Sequence, residues 1–297
     1  MRKNPWFVKS TLSSGKTDRP MKRLLLILPL VAWFCFTGLS HPACGENCVE
    51  VLDKGTVDWT NGYIEAVGVG VPPPNPLNTA HSRAMAERNA DLAARKNLLE
   101  VVKRIRVDCK TQVGDYLESK EIAKDALESL LKGAQGVDLA YGQDEEVRVT
   151  VSMSVRGALA DLILPKSILT ISTVKQPQEP ERKEESFTGL IVDCRGVTLQ
   201  PAMVPLIVDE EGEVVYGPAF ASRDYAAEKS LVSYIRNWAP AKIHPRVGPR
   251  PLEVKGIRTL KARPCDIMIS QADAAKIRRL ASNLGFLHQC RVLVLVD

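Results

Sequence analysis

The side chains that could do chemistry in this chain are few and scattered. It has seven cysteines and four histidines in 297 residues. No two of Cys48, Cys109, Cys194, Cys265 and Cys290 stand close enough to make a CxxC or CxxxxC pair, and His41, His81, His244 and His288 are dispersed, so metal-ligand spacing is absent. The acidic triplet Asp209-Glu210-Glu211 lacks the spacing of a calcium loop and reads as a solvated turn. Gly68-Val69-Gly70 superficially resembles a dinucleotide fingerprint, but Pro72-Pro73-Pro74 follows where a phosphate-binding turn would enter a helix. With no nucleophile elbow, paired-histidine motif or phosphate loop, no catalytic, cofactor or metal residue is assigned, and the chain reads as non-enzymatic.

Charge adds one candidate surface. Between Ala241 and Arg263 stand Lys242, Arg246, Arg250, Lys255, Arg258, Lys261 and Arg263 against Glu253 alone, a patch that could meet an anionic surface or an acidic partner. The alternative is a sheet edge guarded by charge. The formal net charge of +5 resides in the first 45 residues, so the body is near neutral and gives no support for nucleic-acid binding.

Residues 1–45 read as a leader. Lys22 and Arg23 precede an apolar run from Leu24 to Phe36, shorter than the ~20 residues of a membrane span, with Met21 as the true start. Ala43 and Gly45 suit a signal-peptidase cut before Glu46, in preference to a lipoprotein cut before Cys44. Export makes the five remaining cysteines relevant: buried free thiols and one disulfide are equally open, with Cys194, Cys265 and Cys290 the first candidates for pairing.

The elements that position these side chains are read from periodicity. A helix is predicted from Thr79 to Ile105, its inner stripe mostly alanine (Ala86, Ala90, Ala93, Ala94, then Leu98, Val101, Val102 and Ile105), with Ser82, Asp91 and Lys96 outside. Asn61-Gly62 marks a hairpin between strands at 57–60 and 63–71. A strand over 107–117, a helix over 120–131, a short strand over 136–141 and an alternating strand over 147–155 follow, giving one sheet with both helices on one face. Lys175 to Ser186, rich in proline and charge, reads as linker. Beyond it the sequence predicts a strand at 189–192, a hairpin about residues 209–212, helices over 223–238 and 270–284, strands over 252–260 and 267–269, and a final strand over 292–296 that is apolar on both faces. The fold class is therefore α+β: two small domains, each a mostly antiparallel sheet packed with two helices, at 46–166 and 187–297, joined by a linker at 167–186.

The residues Trp59, Gly62-Tyr63-Ile64-Glu65-Ala66-Val67-Gly68-Val69-Gly70, Arg83, Ala84, Ala86, Ala90, Ala93-Ala94, Asn97-Leu98-Leu99-Glu100, Val113, Val149, Val151, Gly157 and Leu162 carry a resemblance over roughly residues 55–165. This stretch resembles the LPP-type outer-membrane lipoprotein family, which includes the flagellar basal-disk protein FlgP and the N-terminal domain of the flagellar ring protein FlgT. The resemblance implies an envelope protein of a Gram-negative bacterium, periplasmic or associated with the outer membrane, that acts as a structural or assembly component through envelope proteins or self-association. A periplasmic ligand-binding or adaptor module is the other expectation.

Overall fold

The computed structural model describes residues 47–75, 78–118, 121–142, 146–164, 168, 187–279 and 285–297. The leader with its cut at Glu46, the lipidation candidate Cys44 and the linker, apart from the buried Ile168, lie outside these residues.

Three strands open the described chain: β1 (Val49–Leu52), β2 (Gly55–Asp58) and β3 (Tyr63–Gly70). Asp58 stands opposite Tyr63, so the β2–β3 connection is the four residues 59–62 and not a two-residue turn. The Asp58 carboxylate ends the ladder early by accepting from the backbone N–H of Thr60 and Asn61, each at 2.9 Å, and Gly62 closes the loop at φ 75°.

Helix α1 (Thr79–Lys103) starts where the Asn78 side chain accepts from the His81 backbone N–H at 2.8 Å. Ala86, Ala90, Ala94, Leu98, Val101 and Val102 are buried, as the stripe predicts, while Arg83–Glu87 and Asp91–Arg95 pair on the wet side. Ser82 corrects the outer-face expectation: it too is buried, one turn before Ala86. The stripe lets α1 press its backbone onto β3. A Cβ at Gly68 would come within 2.1 Å of the Ala94 nitrogen, and one at Gly70 within 2.0 Å of the Ala86 carbonyl oxygen. Those glycines thus admit a helix, which accounts for a motif that looked like a phosphate loop.

Residues 107–112 form a turn and Val113–Glu118 a helix (α2), where a strand was expected. The Asp108 carboxylate accepts from Lys110 N and Thr111 N at 2.7 and 2.9 Å, folding the chain back, and the four-apart pair Val113 and Leu117 then shares one buried face. The sequence continues through α3 (Glu121–Lys132), β4 (Gln135–Tyr141), β5 (Val147–Ser154) and a short unanticipated helix, α4 (Ala158–Ile163). All pairings in this first sheet are antiparallel, in the order β1-β2-β3-β5-β4.

The second half contains β6 (Gly189–Asp193), β7 (Ile207–Val208), β8 (Val214–Tyr216), α5 (Arg223–Lys229), β9 (Ser233–Ile235), α6 (Trp238–Lys242), β10 (Pro251–Leu260), β11 (Arg263–Ile269), α7 (Gln271–Arg279), α8 (Gly285–His288) and β12 (Val292–Leu295). They build a seven-stranded sheet in the order β8-β7-β11-β10-β6-β12-β9. The molecule is α+β, but this sheet is mixed and not mostly antiparallel: β10–β6, β6–β12, β12–β9 and β11–β7 run parallel. Intervening helices return the chain to the starting end, which makes parallel neighbours.

The predicted helix over 223–238 also divides. It ends at Lys229, Ser230 takes φ 67°, and residues 233–235 join β12 as a fully buried strand. Ser270 and Asp273 do start α7, with Asp273 N donating to Ser270 Oγ at 3.0 Å. The rest of the stripe predicted to end at Leu284 lies outside the described residues, and Gly285 opens α8 where it was expected to close a helix. As its two-sided apolarity requires, β12 sits inside the sheet, with Val292 and Val294 in the main core and Leu293 and Leu295 against Ile191, Ile235, Ala241 and Val247 on the other face.

Residues 44–297 form one compact unit, and both sheets contribute to its main hydrophobic cluster. Thr60 is the fastening point. Its hydroxyl donates to the Tyr234 carbonyl at 2.5 Å, and its carbonyl accepts from Ser233 Oγ at 2.9 Å and from the Arg156 guanidinium at 3.0 Å. Trp59 stands edge-on to Tyr234, and the Met203 and Val204 amides donate to the carbonyls of Arg106 and Val107.

Candidate functional site

The five described cysteines are reduced. Burial pushes Cys48 and Cys290 up to about 11 and Cys194 up to about 12, and raises Cys109 and Cys265 as well, so none is a thiolate near neutrality. Cys265 meets neither Cys194 nor Cys290; its backbone N–H donates to Cys109 Sγ at 3.2 Å, across the junction of the halves. Among the described residues no group of His, Cys, Asp and Glu is placed to hold a metal ion. The acidic turn is structural: Asp209 accepts from the amides of Glu211 and Glu213 and from Arg278 at 2.8 Å. Its burial works to raise its pKa, but Arg278 and the two amides outweigh this and hold it below the usual carboxylate range.

The residues of the basic run differ in their surroundings. Arg246 turns inward and donates to the carbonyls of Val292, Lys229 and Ser230 at 2.8, 2.5 and 2.6 Å. Arg263 lies 3.0 Å from the buried carboxylate of Asp266, and Lys242 lies 3.3 Å from Glu253. Arg250, Lys255, Arg258 and Lys261 remain exposed. The sequence could not separate these roles, because Arg246 owes its place to carbonyls left open after the positive-φ Ser230, a feature with no signature in charge spacing.

A different cationic group does converge. Beside the Thr60 loop lies a pocket of about 350 Å³ lined by Arg156, Lys229, His244, Arg246 and Arg291, with Ser233 and Thr60 on its wall. Arg156 follows β5, Lys229 ends α5, His244 and Arg246 follow α6, and Arg291 leads into β12. No carboxylate is among the lining residues. Arg156 Nε is sealed from solvent and finds no hydrogen-bond partner among the described residues. It fits there because position 62 is glycine, where a Cβ would lie 2.6 Å from that nitrogen. His244 Nδ1 accepts from the Arg246 amide at 3.2 Å, which leaves its Nε2 as the protonated nitrogen of the neutral ring.

The pocket's electrostatics follow from burial and like charge. Burial lowers Arg156. Burial, then Arg246 and Arg156, lower His244 below its ordinary value. Burial brings Arg246 down to about 10, against the opposing pull of Tyr216 and Cys290. Arg156 and Arg291 lie outside the sequence's basic run, and no local pattern would have drawn them together; they meet only because the two sheets abut.

Residues 189–297 match the family model of the second domain of Treponema pallidum Tp0624. No match was found among curated proteins. The matched span contains the whole second sheet together with Lys229, His244, Arg246 and Arg291, whereas Thr60 and Arg156 come from the chain before it.

Proposed function

We propose that this is a non-enzymatic, exported cell-envelope protein of a Gram-negative bacterium, periplasmic or bound at the outer membrane, that serves as a structural or assembly component, flagellar in its most specific form. One observation carries the assembly reading: β4 is an open edge strand. Among the described residues it pairs with β5 alone, all seven of its residues are exposed, and Val137, Leu139 and Tyr141 are each about half exposed at 53, 47 and 47%. Asp138 is its one charge and it has no proline, so apart from a register shift between Gly136 and Asp138 it lacks the usual guards of an edge. Such an edge can accept a strand from a neighbouring copy or another envelope protein. The leader and the LPP-type resemblance support the compartment, and thiols held protonated by burial support a role other than cysteine catalysis.

Sedimentation of the purified protein over a range of concentration tests the reading. Reversible self-association that is lost in Leu139→Lys supports it; a monomer at all concentrations, together with capture of no envelope protein from the envelope fraction, counts against it. The second reading, a ligand-binding or adaptor module, is favoured by the cationic pocket, and a monomer stabilised by ligand would select it.

A further inference from the structure

The pocket beside Thr60 is lined by four permanent cations and a histidine with no carboxylate among its lining, and three of the four have hydrogen-bonding capacity left over. Arg246 is held by three carbonyls and mainly supplies field. Arg156 commits one terminal nitrogen to Thr60 and its Nε is sealed against Gly62, out of a ligand's reach, while its other terminal nitrogen makes no hydrogen bond among the described residues. Among the described residues the Arg291 guanidinium makes one hydrogen bond, a long 3.5 Å contact to the Thr188 carbonyl, and Lys229 Nζ lies 3.9 Å from the Glu228 carboxylate and 5.2 Å from the centre of the Tyr225 ring. The Thr60 and Ser233 hydroxyls, by contrast, are tied into the wall. Burial disfavours the charged forms of Arg156 and Arg246, and an anion in the open volume beside them would offset that cost.

We propose that this pocket binds a phosphoryl group, free or as a phosphomonoester, between Arg156 on one wall and Lys229, His244 and Arg291 on the other. Several cationic side chains, from both halves of the chain, line the pocket, as suits a tetrahedral group with three or four acceptor oxygens, whereas one carboxylate would engage a single arginine fork. Several cations and no lining anion match a ligand charge near two, and a pocket of about 350 Å³ admits phosphate with a small attached group. The inference deepens the ligand-binding reading and is independent of strand pairing at β4. Both halves of the chain build the site, so the segment matching the Tp0624 model would carry only part of it.

Inorganic phosphate is the first probe, titrated into the purified protein by calorimetry and thermal melting at ionic strength held constant with sodium chloride. Saturable binding is expected, weakened at least tenfold in the double variant Lys229→Gln/Arg291→Gln, whose melting temperature without phosphate should match the parent. Should that variant not fold, Arg291→Gln alone makes the comparison, with a severalfold loss expected. Binding that does not saturate, that is equal in parent and variants, or that is weaker than for citrate overturns the proposal. Vesicles containing phosphatidic acid separate the sources. A protein that saturates with phosphate and ignores vesicles takes a soluble ligand, one that binds both in a manner lost in the variant takes a lipid headgroup, and vesicle binding without phosphate saturation refutes the pocket.

Discussion

The two sheets solve the problem of covering apolar surface in opposite ways. In the first, β3 gives its inner face to one helix, and close approach depends on small residues: Gly68 and Gly70 on the strand face Ala86, Ala90 and Ala94 on α1, backbone nearly on backbone. In the second, parallel central strands are filled on both faces by larger side chains, and a Cβ at Gly256 would meet a side chain, Cys194 Sγ at 2.5 Å, before any backbone atom. At Gly68 and Gly70 the first interface has no slack, whereas at Gly256 the second has some, because a thiol can rotate and a helix backbone cannot; Gly189, where a Cβ would lie 2.5 Å from the Val247 Cα, is the second sheet's own tight point.

The largest expected effect tests that contrast directly. Gly70→Ala and Gly68→Ala should each destabilise by at least about 3 kcal/mol or prevent folding, while Gly256→Ala should cost only about 1 kcal/mol, read from urea unfolding. Equal costs would erase the distinction. Next, Ala90→Leu and Ala94→Leu force methylenes into the same interface and should cost roughly 1 to 3 kcal/mol, against no more than roughly 0.5 kcal/mol for Lys96→Leu on the exposed side. Ser82→Leu belongs with the costly group, since Ser82 is buried.

In the second half the polar contacts decide. Arg246→Met leaves the carbonyls of Lys229, Ser230 and Val292 without their donor and should cost about 2 kcal/mol by the same measurement. A milder effect concerns acid. The carboxyl of Asp209 is lowered in the folded state, so its stabilisation is complete above the unfolded value of about 4 and is lost as pH falls through the folded value. The melting temperature of the parent should therefore drop below about pH 4, and Asp209→Asn should flatten that part of the profile. Smallest of all, Leu139→Lys on β4 should leave stability within roughly 0.5 kcal/mol while abolishing self-association.

Legibility in the sequence followed the same division. Where one face is wet, alternation survives: Ile64, Ala66, Gly68 and Gly70 inward against Tyr63, Glu65, Val67 and Val69 outward gave β3, and the α1 stripe was visible for the same reason. Where both faces are dry the period disappears. Leu231, Tyr234 and Ile235 sit at helical spacing and suggested a helix, yet they are buried together as a strand and its approach beside β12. Residues 107–117 failed differently, because an aspartate-capped turn is a side-chain event that strand propensity does not see. The candidate site was least legible, since Arg156 and Arg291 lie far apart in sequence and only the abutting sheets make them neighbours.

Thr60 gives the molecule a thermodynamic consequence. Its hydroxyl and carbonyl both reach β9, and the β2–β3 loop that carries it is held by Asp58 on one side and Arg156 on the other. Neither half can lose order without exposing the other's buried polar groups, so heat should melt residues 44–297 in a single calorimetric transition, its van't Hoff and calorimetric enthalpies equal. Trp59, in edge contact with Tyr234, makes that coupling optical: its fluorescence reports on the first sheet's loop and the second sheet's edge strand at once.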